Sequence, residues 1–165
     1  MKLERILPRT VDNRYEGSAI SRWAFLLLAV VSVVRSCIHL AAPDGGAGSI
    51  AGLDLALGGA ANVIFAFGLW GLSQLIYGLI QLLVATRYRT LIPLMYVFLI
   101  FETLGRMAVG WTKPPVLLHT PPGGTANWIL LPLAIVLLVL SLRKPKKILA
   151  SEPAKPEIPL PENPL

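Results

Sequence analysis

The chain has 165 residues, 55% of them hydrophobic, and a formal net charge of +6. Its mean hydropathy of +0.66 is too high for an ordinary soluble domain, and the apolar residues fall in blocks. The basic residues flank those blocks instead of forming one stripe, which excludes nucleic acid as the expected partner.

Residues 1–21 form a polar, basic leading segment. Pro8 interrupts any long helix there, and Leu3, Ile6 and Leu7 are expected at a membrane surface. Crossing roughly 30 Å of hydrocarbon takes about 20 mostly apolar residues. Four blocks meet that length or nearly so, at about 23–42, 62–85, 91–110 and 126–142. The expected fold is therefore all-α: a polytopic membrane protein with a four-transmembrane-helix bundle over 22–142 and no separate soluble domain. The first block has the basic flank and apolar core of a signal peptide. A cut after "LAA" would place Pro43 just beyond it, however, so the block is read as a retained anchor. Cys37 is the only cysteine, so neither an internal disulfide nor a Cys-x-x-Cys redox centre is available.

The connection "PDGGAGSIAGLDLALGGAA", residues 43–61, opens as a turn at Pro43-Asp44-Gly45-Gly46. Ser49 is placed to cap a short helix through Leu57, with Asp54 on its polar side. In the second span Gly71, Gln74, Gly78, Gln81 and Ala85 recur on one side of the helix. Small residues there let another helix approach closely, and the glutamines supply hydrogen bonds across the contact. This is read as a helix-packing face, within the chain or between chains of a homo-oligomer or larger membrane complex. Between the third and fourth spans, Pro114, Pro115, Pro121 and Pro122 make residues 111–125 a stiff, non-helical connection. The last segment, 143–165, carries six prolines and is expected to be a disordered or extended tail.

Charge placement sets the expected orientation. Lys2, Arg5, Arg9, Arg14 and Arg22 precede the first span, Arg87 and Arg89 lie between the second and third, and Arg143, Lys144, Lys146 and Lys147 follow the fourth. The 43–61 connection has no Lys or Arg, and the 111–125 connection has only Lys113. Both termini are accordingly expected in the cytoplasm of a bacterial inner-membrane protein. Trp23, Tyr88, Trp111 and Trp128 fall near the predicted interfaces, as an aromatic belt requires.

The third span carries Glu102 and Arg106 one helical turn apart, the favourable order for an ion pair. The first carries Arg35 and His39 at the same spacing. At about 1.5 Å per residue, Glu102 and Arg35 lie at similar depths, as do Arg106 and His39. Charged groups in hydrocarbon must face the bundle interior or a wet cavity. These four residues are therefore predicted to form a polar cluster in the outer half of the bundle, with Asn62 at the end of the second span able to join it. Two arginines against one glutamate leave room for an anion, or for Asp44 or Asp54 folding in from the loop. An arginine pair matches carboxylate or phosphate, which points to an acidic or quinone-like head group with its tail between the helices. A purely structural ion-pair network is the alternative.

The two histidines do not make a metal or haem site, so no metal is expected. "GLSQ" around Ser73 is not a nucleophile elbow, and no phosphate-binding glycine loop follows a strand. No catalytic residue is assigned.

An arginine late in the first helix (Arg35), a Gly-rich second helix (Gly68, Gly71, Gly78) with a short basic turn after it (Arg87, Arg89), and "ETLGRM" in the third together resemble the DoxX-like group of small bacterial four-helix membrane proteins. The resemblance covers roughly residues 20–142. It implies a four-helix fold and, for some members, a link to redox or sulfur metabolism, for which this chain lacks a cysteine pair. The expected function is a non-enzymatic membrane subunit or a small protein binding membrane lipid or an anion. The competing expectation is a component of a membrane oxidoreductase or transporter that uses Arg35, His39, Glu102 and Arg106 for quinone binding or proton relay.

Overall fold

In the computed structural model of the protein, residues 3–143 are described; the proline-rich segment from residue 144 onward lies outside them. The elements are α1 (Leu3–Ile6), α2 (Ala19–Ala41), α3 (Ala60–Thr86), α4 (Ile92–Thr112) and α5 (Pro122–Leu142). All but α1 are long and apolar enough to cross a membrane. The protein is an all-α, four-helix membrane bundle.

Local chemistry explains where each helix begins and ends. Ser18 caps α2, its hydroxyl accepting from the Ile20 amide at 3.2 Å. The helix stops at Ala41 because Ala42 precedes Pro43 and is extended, as the proline ring demands. Helix α3 starts after Gly59, whose φ of +93° is a left-handed conformation suited to glycine. A single 3₁₀ turn, Arg89–Leu91, joins α3 to α4. The first residue of α5 is Pro122, four residues before the expected start, so the 111–125 connection is shorter than predicted. Proline suits the first turn of a helix, where its missing N–H would have no partner.

Helices α2 and α3 form one closely packed hairpin, and α4 and α5 form a second. The glycine face of α3 makes the first hairpin possible. Gly71, Gly78, Gln81 and Ala85 are buried and Gln74 is half-buried. A methyl group at Gly71 would stand 2.8 Å from the His39 Cβ, and one at Gly78 would stand 2.9 Å from the Val33 Cγ2. The α3 backbone therefore lies directly on α2, as a small-residue face allows.

The hydrophobic core between the hairpins is concentrated toward the end that carries the Arg87–Arg89 turn, here the basic end. Phe25 from α2, Ile92, Tyr96 and Leu99 from α4, and Ala134 and Leu137 from α5 meet there. Tyr96 is fully buried; its hydroxyl donates to the Ser21 carbonyl at 2.6 Å, and its ring meets Phe25 edge-on. The segment after α1 closes this end: Asp12 and Thr90 exchange backbone and side-chain hydrogen bonds at 3.0–3.3 Å. Leu3 and Leu7 are exposed and Ile6 is half-buried. The outward faces of the long helices are apolar and exposed, which suits contact with lipid.

At the opposite, loop end, the 43–59 connection is folded without the expected Ser49-capped helix. It forms a run of turns in which Gly45, Gly46 and Gly52 adopt φ of +59°, +74° and +69°. The Asp44 carboxylate accepts from the Gly46, Gly48 and Ser49 amides and from the Ser49 hydroxyl, at 2.7–3.2 Å. Those amides are the donors a helix would have had to place elsewhere, so the aspartate turn replaces the helix. The loop then pairs with the α4–α5 connection, where the Leu118 amide donates to the Gly52 carbonyl at 2.7 Å.

The contrast between glycines gives a stability test. Gly71→Ala is expected to cost about 1–3 kcal/mol through overpacking against α2. Gly68→Ala, with no atom within 4 Å of the added methyl, is expected to be neutral or slightly stabilising. Thermal unfolding of both variants in detergent measures the difference.

Candidate functional site

One chain of polar side chains crosses the bundle and draws on all four long helices. Arg35 on α2 donates through Nη2 to Gln74 Oε1 on α3 at 3.0 Å. Gln74 donates through Nε2 to Glu102 Oε1 on α4 at 3.5 Å. Arg106, one turn further along α4, donates through Nη1 to the same Glu102 oxygen at 2.7 Å. Its Nη2 reaches Asn127 Oδ1 on α5 at 3.2 Å and Thr103 Oγ1 at 3.4 Å. Glu102 and Arg106 each keep little more than a quarter of their side-chain exposure, so this ion pair sits where water competes weakly and its hydrogen bonds count for more.

Of the residues predicted to cluster, Arg35, Glu102 and Arg106 come together. His39 does not join them. It is 3% exposed, and its Nδ1–H donates to the Gly45 carbonyl at 2.8 Å, so the ring anchors the 43–59 loop. Gly46 crosses so close above it that a Cβ there would lie 2.7 Å from Nδ1. The Trp70 and Phe67 rings enclose the imidazole, with centroids at 4.8 and 6.1 Å. Asn62 is also outside the chain: it is exposed in the first turn of α3, and its backbone amide bonds to Gly59. Neither aspartate folds in. Asp44 is occupied by its own loop, and Asp54 accepts from the Ala56 amide at 2.9 Å.

Three members lie outside the predicted site: Gln74, Thr103 and Asn127. Gln74 was assigned to the packing face; it packs there and also carries the link between Arg35 and Glu102. Asn127 was missed because the fourth span was started at residue 126, which put it at the interface. With α5 beginning at Pro122, Asn127 lies about 8 Å into the helix, and Arg106 lies about 9 Å from the end of α4. The depth count that paired the other residues would have found it.

Two guanidinium groups and one carboxylate leave the chain with a single positive charge. That charge is concentrated at Arg35. Among the described residues, Arg35 makes no ion pair, and its buried Nε has no hydrogen-bond partner. Its guanidinium carbon lies 5.5 Å from the centre of the Trp70 ring. Arg35 and Trp70 also line a cavity of about 840 Å³, between α2 and α3 on one side and the start of α5 on the other. Its walls are otherwise mostly apolar, including Leu28, Val31, Leu130 and Leu133, and the loops close its end through Ile50 and Pro121. Pockets of about 300–1,000 Å³ with few polar groups are typical of small-molecule sites. No three His, Cys, Asp or Glu side chains among the described residues are grouped as a metal site would require.

Comparison with family models, with curated proteins and with solved structures finds no match to this chain. The arrangement of side chains itself therefore carries the functional argument.

Two outcomes follow from this geometry. Glu102→Gln leaves Arg106 without its ion-pair partner and is expected to lower stability by about 1–3 kcal/mol. Glu102→Gln combined with Arg106→Gln is expected to recover part of that loss, since the pair acts as a unit; thermal unfolding of the single and double variants measures it. At the loop end, the Ser49 and Gly46 amides and the Ser49 hydroxyl hold the Asp44 carboxyl at about 2, below the usual 3.8. Because this value is depressed on folding, the loop's aspartate contacts are fully favourable above about pH 4 and are lost as pH falls toward 2. The Ser49 amide resonance is expected to titrate with a midpoint near 2 in the wild type and to show no such step in Asp44→Asn.

Proposed function

We propose that this protein is a small, non-enzymatic membrane protein that binds one amphiphilic molecule with an acidic head group, held at Arg35. One observation carries the proposal: Arg35 lines an 840 Å³, mostly apolar cavity and has no carboxylate of the described residues in contact with it. An unpaired cation inside a membrane is costly. If Arg35 served only to bind helices together, its counter-charge would be expected beside it, as Glu102 is beside Arg106. Instead a neutral glutamine separates it from Glu102, and the apolar cavity lies beside it. A bound anion would neutralise the single positive charge of the chain through paired hydrogen bonds.

The distribution of basic residues supports an orientation with both termini and the Arg87–Arg89 turn in the cytoplasm and the two glycine- and proline-rich loops outside. In a bacterial inner membrane the cavity then opens in the outer half of the bilayer. A quinone-like head beside Trp70 and His39 is the second reading, favoured by the Trp70 and Phe67 rings, which meet edge-on at 5.7 Å in the cavity wall. It would place the protein as a component of a membrane oxidoreductase or transporter.

Native mass spectrometry of the detergent-purified protein tests the proposal. The wild type is expected to retain one acidic amphiphile. Arg35→Gln is expected to lose affinity about 10–100-fold, as removal of a charge-assisted contact implies, while Arg35→Lys keeps part of it. A co-purifying neutral quinone held equally by the wild type and Arg35→Gln would instead establish the second reading. Bulk phospholipid alone, the same in every variant, would make the polar chain a structural network.

A further inference from the structure

Resting on the acidic-amphiphile reading of this cavity, we infer that its ligand is a single-chain monocarboxylate, a long-chain fatty acid or a close relative, taken up sideways from the leaflet at the loop end. Charge, volume, depth and access each bear on the class.

The charge argument comes first. Arg35, Arg106 and Glu102 sum to one positive charge. A carboxylate cancels it, whereas a phosphate monoester, at about −1.5 to −2 near neutral pH, would leave excess negative charge in an apolar cavity. Arg35 Nη2 is held by Gln74, and Nε is buried without a partner among the described residues. A flat two-oxygen acceptor meets one guanidinium edge more simply than a tetrahedral group that calls for several donors.

Volume admits a long chain. At about 30 Å³ per water-sized group, 840 Å³ is ample for the roughly 20 non-hydrogen atoms of one 18-carbon acid. Depth agrees. Arg35 lies six residues before the end of α2 at Ala41, about 9 Å below the loop end. A bare carboxylate can follow its chain to that level, whereas a glycerophosphate head belongs at the interface. From Arg35 the apolar wall continues through Val31 to Leu28, a further 10 Å or so along α2, toward the middle of the membrane. Access is lateral: Ile129 and Leu133 line the cavity and are also 66% and 45% exposed on the lipid-facing side of α5. A chain can therefore enter between the helices without opening the loops.

The experiment adds oleate, oleyl alcohol, lysophosphatidate or two-chain phosphatidylglycerol to the delipidated full-length protein in detergent and reads the adducts by native mass spectrometry. Oleate is expected to form a 1:1 adduct at least 10-fold more tightly than the other three, and Arg35→Gln is expected to reduce it to the level of the alcohol. Ala126→Trp, which fills the cavity from α5 and leaves the polar chain intact, is expected to abolish the adduct; it keeps the test decisive should Arg35→Gln fail to fold. Lysophosphatidate or phosphatidylglycerol binding as tightly as oleate, and still depending on Arg35, would overturn the monocarboxylate class and leave the anion site standing. Oleate adducts unchanged in both variants, with no other probe depending on Arg35, would overturn the site itself.

Discussion

Glu102 is the group on which the upper half of this bundle depends. Its carboxylate is the only acidic side chain in the polar chain that crosses the bundle, and one of its oxygens takes both Arg106 and Gln74. Through those two contacts it connects α4 to α2, by way of Gln74 and Arg35, and to α5, by way of Arg106 and Asn127. In a membrane there is little hydrophobic gain from bringing helices together, because lipid tails are as apolar as the side chains. Polar contacts and close packing must hold them instead. Close packing joins α2 to α3 and α4 to α5; where the two hairpins face each other near the loop end, the polar chain and the cavity share the space.

That division gives the bundle two different halves. Toward the basic end, Phe25, Tyr96, Leu99 and Leu137 fill the interior, and the Tyr96 hydroxyl is satisfied by a backbone carbonyl of α2. Toward the loop end the hairpins separate and leave a cavity with a cation in its wall. A void of that size lined by leucine and valine forfeits the dispersion contacts its lining would make if packed. The loops over it are held firmly rather than loosely: Asp44 organises one, His39 anchors it from below, and Gly52 ties it to the α4–α5 connection.

His39 and Arg35 illustrate how similar residues at helical spacing come to different uses. They stand one turn apart on α2, yet His39 sits under the glycine turn while Arg35 points to the cavity and Gln74. The separation comes from the loop. Gly45 and Gly46, both with positive φ, fold the chain back so that a carbonyl meets the imidazole and no side chain obstructs it. With any other residue at position 46, the loop could not pass so close, and the ring would be left to find a partner in the bundle.

Much of this architecture is legible in the sequence alone. The four spans are, because a membrane forces every backbone group into internal hydrogen bonds and so demands long apolar helices. The glycine face of α3 is, because 3.6-residue periodicity places Gly71, Gly78, Gln81 and Ala85 on one side regardless of partner. The Glu102–Arg106 pair is, because residues four apart on a helix are neighbours. Tertiary structure alone decided the rest. The rotation of each helix about its axis brought Gln74 between Arg35 and Glu102, and the true start of α5 brought Asn127 level with Arg106. Loop paths, which have no period to read, took His39, Asp44 and Asp54 away from the cluster and left Asn62 exposed. The cavity belongs to this second group, since empty space between helices is set by how they diverge and no single segment of the chain encodes it.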